Sequence, residues 1–157
     1  MTATSDVIDE HGDGAGVCEI ALRQFGRLRE FEGPISTVRC LEDNVLVRRR
    51  LSEPGAGGVL VVDGGGSNRV ALVGQIVATL ARDSGWAGLV INGCVRDVAA
   101  LRELDLGVKA IGSTPRPSGK EGVGELDVPV TFGGMTFHPG DMLFSDDDGV
   151  VTLHPSA

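Results

Sequence analysis

Residues 59–97 read VLVVDGGGSNRVALVGQIVATLARDSGWAGLVINGCVRD, and this stretch decides the fold class. Val59 to Asp63 is a β-branched run closing on an acid, the composition of a buried strand. Gly64, Gly65 and Gly66 follow and supply a turn that tolerates φ > 0 and close main-chain approach. Val73, Ile76, Val77, Leu80 and Ala81 recur at helical spacing and predict one apolar helix face, with Gly85 as the stop. Gly88 to Ile91 predicts a second strand, buried on both faces. Two strands joined by a helix form a βαβ crossover, so they are expected to be parallel neighbours in one sheet. Sites in such sheets lie just past the carboxyl ends of the strands. The candidates there are the glycine turn after the first strand and Asn92, Arg96 and Asp97 after the second.

Bulk properties bound the function classes. A length of 157 residues suits a single domain, 1–157, with a core of its own. Tyr is absent and Phe scarce, so that core has to be aliphatic. A formal charge of −8 argues against direct binding of nucleic acid, whose phosphates need a basic surface, but permits a basic protein partner. Cys18, Cys40 and Cys94 are odd in number and lack metal-ligand spacing, which points to a reduced, cytoplasmic setting. The polar, acidic start MTATSDVIDEHGDG is not expected to be a signal peptide, and no apolar run approaches a membrane span.

Outward from the central stretch, Thr4 or Ser5 is expected to cap a short helix through Asp6 to Glu10, broken by Gly12, Gly14 and Gly16. Val17 to Phe25 has mixed periodicity and its state stays open. Phe31 to Arg39 predicts a strand, with Pro34 suiting a strand start or an edge. Asn44 to Leu51 is helix-compatible, and Arg48, Arg49 and Arg50 read as a solvated face. After Asp97, Val98 to Leu104 predicts a short helix and Leu106 to Ile111 a strand. Gly112 to Gly124 is a long loop. Asp127 to Phe132, Met135 to Phe137, Met142 to Ser145 and Val150 to His154 predict a β-rich end, with Gly133-Gly134 as a hairpin turn.

Several motifs fail on their own chemistry. Gly119-Lys120 is followed by Glu121, so it is no P-loop, and Gly64-Gly65-Gly66 lacks the third glycine of a dinucleotide fingerprint. A methyltransferase wants an acid after the strand that follows its glycine turn, whereas Asp63 precedes the turn. Asp146-Asp147-Asp148 lacks the alternation and terminal Glu of a calcium loop and reads as a solvated turn. His11, His138 and His154 have no i,i+4 partner, so a zinc site is not supported. Cys94 shows no neighbouring base and reads as a small buried residue. Arg96-Asp97 carries more. As an ion pair at a helix start it would be structural. As a site, the guanidinium would bind a carboxylate bidentately, and the aspartate would hold a hard cation such as Mg²⁺.

The segments VLVVDGGGSNRVALVGQIVATLA, WAGLVINGCVRDV, LRELDLGVKAIGSTP and GVGELDVPVTFGGMTFHPGDMLFSDDDGVV together resemble the RraA-like family, the regulators of ribonuclease E activity A. The resemblance runs from about Thr4 to Leu153 and includes the 4-hydroxy-4-methyl-2-oxoglutarate aldolases, which are class II pyruvate aldolases. It implies an α/β fold of the swivelling β/β/α type, a central βαβ unit followed by a β-rich C-terminal part, and a homotrimer. It implies a lyase that cleaves 4-hydroxy-4-methyl-2-oxoglutarate to two pyruvates and also decarboxylates oxaloacetate. By that resemblance Gly74, Gln75, Ile76 and Val77 bind the substrate carboxylate through backbone amides. Arg96 binds substrate and stabilises the enolate, and Asp97 holds a divalent cation, Mg²⁺ or Mn²⁺. An anion at a helix N-terminus agrees with the free N–H groups and dipole there.

The chain departs from the aldolase pattern at two positions. Gln75 stands where the aldolases carry an acid, and Ala100 where Asp or Glu is expected. Each change removes a carboxylate. The alternative implied by the family is a non-catalytic regulator that binds and inhibits a ribonuclease E-type enzyme; the retained Asp97 favours the lyase.

Overall fold

The structure, a computed structural model, describes residues 1–155. The first half runs α1 (Thr4–His11), a 3₁₀ turn (Gly12–Gly14), β1 (Ala15–Val17), β2 (Arg23–Gln24), β3 (Phe31–Arg39), α2 (Val45–Leu51) and β4 (Val59–Asp63). The middle runs β5 (Ala71–Val73), α3 (Gln75–Asp83), β6 (Gly88–Val95), α4 (Val98–Leu101) and β7 (Gly107–Ser113). The end runs β8 (Glu125–Leu126), β9 (Val130–Phe132), β10 (Met135–Phe137), β11 (Met142–Asp146) and β12 (Gly149–Leu153).

The central crossover forms as the hydrophobic pattern requires. β4 and β6 are parallel neighbours in register Val59↔Gly88 to Asp63↔Asn92, with α3 between them. Alternate residues face opposite sides of a strand. Leu60, Val62, Leu89 and Ile91 pack with α2 and α3, while Val59, Val61 and Val90 pack with Phe132 and Phe137 of the β9–β10 hairpin. Both faces of the parallel strands are therefore dry. Phe31 supplies bulk that the aliphatics cannot: its ring lies over Gly88 and Gly107, where an added Cβ would stand 2.3 Å and 2.0 Å from ring carbons.

One strand joins two sheets. The first half of β3 pairs antiparallel with β11, Phe31↔Ser145 to Pro34↔Met142, and its second half pairs parallel with β4, Ile35↔Val59 to Arg39↔Asp63. Pro34 is thus inside a central strand rather than at a start or edge. It fits because it stands where the strand changes partners, so its missing N–H breaks no continuous ladder. The full order is β1-β12-β11-β3-β4-β6-β7-β2.

Other expectations need correction. β5 was hidden because Val73, read as helical, ends this short strand, and α3 starts only after Gly74. β6 runs on to Val95, so Asn92 lies within the strand rather than after it. α4 is a single turn ending at Leu101, and the strand expected over Asp127 to Phe132 begins only at Val130. Gly133 and Gly134 turn the hairpin at φ 62° and 76°, as expected. No helix of the described residues is long and apolar enough to cross a membrane.

The acidic turn is not merely solvated. Thr4 does not cap α1; its N–H and hydroxyl donate to Asp146 Oδ2 at 2.8 Å and Oδ1 at 2.7 Å. Lys109, buried on β7, donates its ammonium to the main-chain oxygens of Asp146 and of Gly149. Burial works to raise the Asp146 carboxyl, but the donors from Thr4, Asp148 and Gly149 outweigh it and hold the group below its ordinary range. A folded value below the unfolded one stabilises the fold above about pH 4, and that stability is lost as pH falls through the folded value. Asp146→Asn should therefore cost about 1–3 kcal/mol at neutral pH. Urea melts across pH should show the gap from wild type closing as the solution is acidified below about pH 4; a gap that is constant with pH would contradict this.

Candidate functional site

The site is built where β6 ends. β5 lies parallel to the last residues of β6, Ala71↔Cys94 and Val73↔Val95, and the Arg96 N–H donates to the Val73 carbonyl at 2.9 Å. That pairing brings the start of α3 beside Arg96 and Asp97. Asp97 adopts a left-handed conformation, φ 59° and ψ 43°, which aspartate tolerates better than most residues. Its side chain makes no cap on α4. Instead Oδ2 accepts the Gln75 N–H at 2.8 Å, at the positive end of α3. Gly74 makes this approach possible. An added Cβ there would stand 2.7 Å from Asp97 Oδ2 and 3.1 Å from Arg96 Cγ.

A second wall comes from the start of α2 and the loop after β7. Asn44 Nδ2 donates to the Leu72 carbonyl at 2.9 Å, and its Oδ1 accepts from Lys120 Nζ at 2.6 Å. Lys120 also reaches Ser118 Oγ at 3.2 Å. Buried Asp43 ties the two segments together, accepting the amides of Val45 at 3.1 Å, Glu121 at 2.5 Å and Gly122 at 3.1 Å. Burial alone would raise its carboxyl, but these amides and the Lys120 charge hold it below the usual range.

Between the walls lies a pocket of about 330 Å³. Its polar lining is Asn44, Arg48, Arg96, Asp97, Ser118 and Lys120, with Gly74, Ile76 and Val77 at the α3 end. Asp97 is its one carboxylate, against three cations. None of the three cations pairs with an Asp or Glu among the described residues. Burial first, then the charges of Arg96 and Arg48, push the Lys120 ammonium below the lysine range, with Asp43 opposing. The amides of Ile76 and Val77 donate to no internal acceptor among the described residues, as expected in a first helical turn. Such a surface attracts anions.

Gly74, Ile76, Val77, Arg96 and Asp97 therefore share one cavity. Gln75 does not line it; its side chain is exposed and only its amide takes part. Asn92 and the glycine turn lie outside. The Gly64 and Gly66 amides donate to the Asn92 carbonyl at 3.0 Å and 3.1 Å, and Asn92 Nδ2 donates to Asp63 Oδ1 at 3.0 Å, so the turn is closed onto β6. Cys94 is buried, and burial raises its thiol away from reactivity. Arg48 and Lys120 are the residues that sequence reasoning passed over. The available signal was the i,i+4 spacing of Asn44 and Arg48, which puts both on one helix face.

A divalent cation finds limited protein donors here. No group of three His, Cys, Asp or Glu side chains among the described residues is arranged to hold a metal. Asp97 offers one oxygen besides the one on the Gln75 amide. That set fits a hard ion that completes its shell with water and ligand oxygens, as Mg²⁺ does, and does not fit zinc.

Comparison with known proteins places the chain. A family model described as RraA-like, Aldolase/RraA, matches residues 2–152. A structure named S-adenosylmethionine:2-dimethylmenaquinone methyltransferase, from Geobacillus kaustophilus HTA426, is 46% identical with a TM-score of 0.97, covering 99% of this chain and 96% of that one. The RNA-processing inhibitor RraA from Thermus thermophilis is 43% identical with a TM-score of 0.96, covering 100% and 96%. RraAS2 of Streptomyces coelicolor, described as an unusual member of the RNase ES inhibitor RraA protein family, is 26% identical with a TM-score of 0.82, covering 98% and 80%. The two sheets joined through β3, with helices packed on the parallel part, are the swivelling β/β/α fold of these structures.

Gly74→Ala tests how the site is held. The added methyl must push the Asp97 carboxylate off the Gln75 amide, since its place is 2.7 Å from Oδ2. The backbone at Gly74, φ −125°, is open to alanine, so the fold should survive. Hydrogen exchange at the Gln75 amide should quicken by at least about tenfold, the equivalent of one lost hydrogen bond; unchanged protection would mean that the contact does not order this corner.

Proposed function

The chain belongs to the RraA-like family, and on that premise we propose that its pocket is the active site of a divalent-metal-dependent lyase acting on small 2-oxo diacids. The observation that carries the reading is the convergence of Arg48, Arg96, Lys120 and the open amides of α3 on one pocket with a single carboxylate. The reactions are decarboxylation of oxaloacetate to pyruvate and CO₂, and retro-aldol cleavage of 4-hydroxy-4-methyl-2-oxoglutarate to two pyruvates. In both the C3–C4 bond breaks, its electrons pass into the pyruvate enolate, and C3 then takes a proton. The amides of Ile76 and Val77 hold the C1 carboxylate with Arg96, whose fork also faces the oxygen that gains charge. Asp97 would hold the cation, which supplies Lewis acidity at the C2 carbonyl. Gly74 and the Gln75 amide keep that carboxylate in place. The methyltransferase name of the Geobacillus protein is not carried over, because the glycine turn that a nucleoside cofactor would need is closed onto Asn92.

The likeness to the Thermus RNA-processing inhibitor supports a second reading, a regulator that binds a ribonuclease E-type protein. Exposed Leu41 and Val123, 66% and 62% accessible, offer apolar contacts for such a partner. The two readings differ in what metal removal does.

Pyruvate release from either substrate should require Mg²⁺ or Mn²⁺ and stop in EDTA. Arg96→Ala and Asp97→Ala should each lose at least about 100-fold in kcat with the circular dichroism unchanged. Absence of metal-dependent release from both substrates would rule out the lyase and leave the regulator.

The Gln75 side chain is exposed beside the pocket rather than in its lining, so it bears on the balance between the two reactions only by reaching in from the rim. Retro-aldol cleavage needs a base for the C4 hydroxyl proton, and a positioned base contributes about 10²–10⁴-fold. Decarboxylation needs none, because loss of CO₂ itself generates the enolate. An amide side chain cannot take a proton at neutral pH. Gln75→Glu should therefore raise kcat/KM for the aldol substrate selectively, with metal saturating. An equal change in both reactions, or none, would show that position 75 is not the missing base.

A further inference from the structure

Arg27, Arg29, Arg39, Arg50, Arg69 and Arg82 each pair with an Asp or Glu. Among the described residues, Arg23, Arg49, Arg102 and Arg116 have no acidic partner and lie outside the pocket. Arg48, Arg96 and Lys120 have no such partner among the described residues, and all three line the same pocket. In a chain of net charge −8, three unpaired cations around one carboxylate are a local excess that a monocarboxylate does not neutralise.

The α3 end of the pocket already has its pair of donors for one carboxylate, Arg96 and the Ile76 and Val77 amides. Arg48 and Lys120 belong to the opposite wall. Arg48 stands one helical turn after Asn44, on the face whose amide oxygen holds Lys120 at 2.6 Å. Lys120 is fixed a second time by Ser118 Oγ, and its loop is clamped to α2 by Asp43. This cation is therefore in place before a ligand arrives, which lowers the ordering cost of binding. The Arg48 guanidinium makes no hydrogen bond to the described residues and is exposed at the pocket, free to close on an anion.

We propose that Arg48, with Lys120 beside it, is a second carboxylate subsite that receives the carboxylate remote from the keto group and selects 2-oxo diacids over 2-oxo monoacids. The inference rests on the reading of this pocket as a keto-acid site. It assigns Arg48 a role that differs between the two substrates. In 4-hydroxy-4-methyl-2-oxoglutarate the remote carboxylate survives the reaction, so the ion pair persists through the transition state. In oxaloacetate the remote carboxylate is the group lost as neutral CO₂, so the ion pair stabilises the ground state and fades as the bond breaks. Arg48 should thus lower KM for oxaloacetate without raising kcat.

The test uses 2-oxoglutarate and 2-oxovalerate, which have equal chain length and differ in the remote carboxylate. By calorimetry with Mg²⁺ present, wild type should bind the diacid about 10- to 100-fold more tightly, the range for a charge-assisted hydrogen-bonded pair. Arg48→Gln should erase that preference while leaving 2-oxovalerate affinity unchanged, and Arg48→Lys should retain part of it. In steady state Arg48→Gln should raise KM for oxaloacetate by a similar factor, with kcat equal or higher. Equal affinity of wild type for the two acids, or a loss in Arg48→Gln that falls on both alike, would overturn the subsite. Binding does not require turnover, so the two proposals fail separately. A diacid preference without pyruvate release from either substrate would fell the lyase and keep the subsite; release without the preference would do the reverse.

Discussion

The carboxylate of Asp97 on the first amide of α3 is the contact on which this corner of the molecule depends. It joins the end of β6 to the start of a helix that precedes β6 in sequence, and so closes the βαβ unit at its pocket end. Three local choices serve it. Gly74 leaves room for the oxygen, Asp97 accepts a left-handed backbone, and β5 aligns the two segments by pairing with β6. A left-handed non-glycine residue costs about 1–2 kcal/mol, and a charged hydrogen bond at a helix N-terminus offsets a similar amount. The strain is therefore held at the pocket, by a bond that also orients its one carboxylate.

That bond also limits what the helix can offer a ligand. Asp97 uses the Gln75 amide, so an incoming carboxylate meets only the amides of Ile76 and Val77. Arg96 stands beside them, its main-chain N–H anchored on Val73 and its guanidinium lining the pocket with one long bond, 3.5 Å, to the Pro115 carbonyl. Electrostatics then organise the rest. The protein is acidic overall, yet three of its unpartnered cations line this one opening, so the local field is opposite in sign to the net charge. A small anion is steered to the pocket, while a polyanion the size of a nucleic acid meets the acidic remainder.

How much of this was legible in the sequence follows from how local each signal is. β4, α3 and β6 announce themselves because each is a continuous run with one periodicity. The Gly133-Gly134 hairpin is a two-residue signal and was readable. β5 was not, because Ala71, Leu72 and Val73 run straight into a helix pattern that Val73 also satisfies. The partner change of β3 at Pro34 is a property of the assembled sheets, not of the nine residues themselves. In the same way Arg96-Asp97, adjacent and just past a strand, could be singled out. Arg48 and Lys120 could not, because they meet only through Asp43 and Asn44. Those residues bridge positions 76 to 78 apart in the chain, and a charged triplet on a short helix reads locally as solvent-facing.

Asp43 shows why such a wall must be buried at its root although it works at the surface. The loop that carries Ser118 and Lys120 contributes little to the main cores, and glycine and proline give it many alternative paths. Apolar packing is non-directional, so it would fix the loop's depth and not its register. Three amide bonds to one carboxylate are directional, and they specify which backbone atoms sit at the start of α2. Their cost is a desolvated charge, and Lys120 lies close enough to help balance it. The same lysine therefore faces the structural carboxylate on one side and lines the pocket on the other. Arg96 and Arg48 push its proton off while Asp43 holds it on. The lysine charge is thus set by groups of both signs, and the hydrogen bonds to Asn44 and Ser118 fix where it stands.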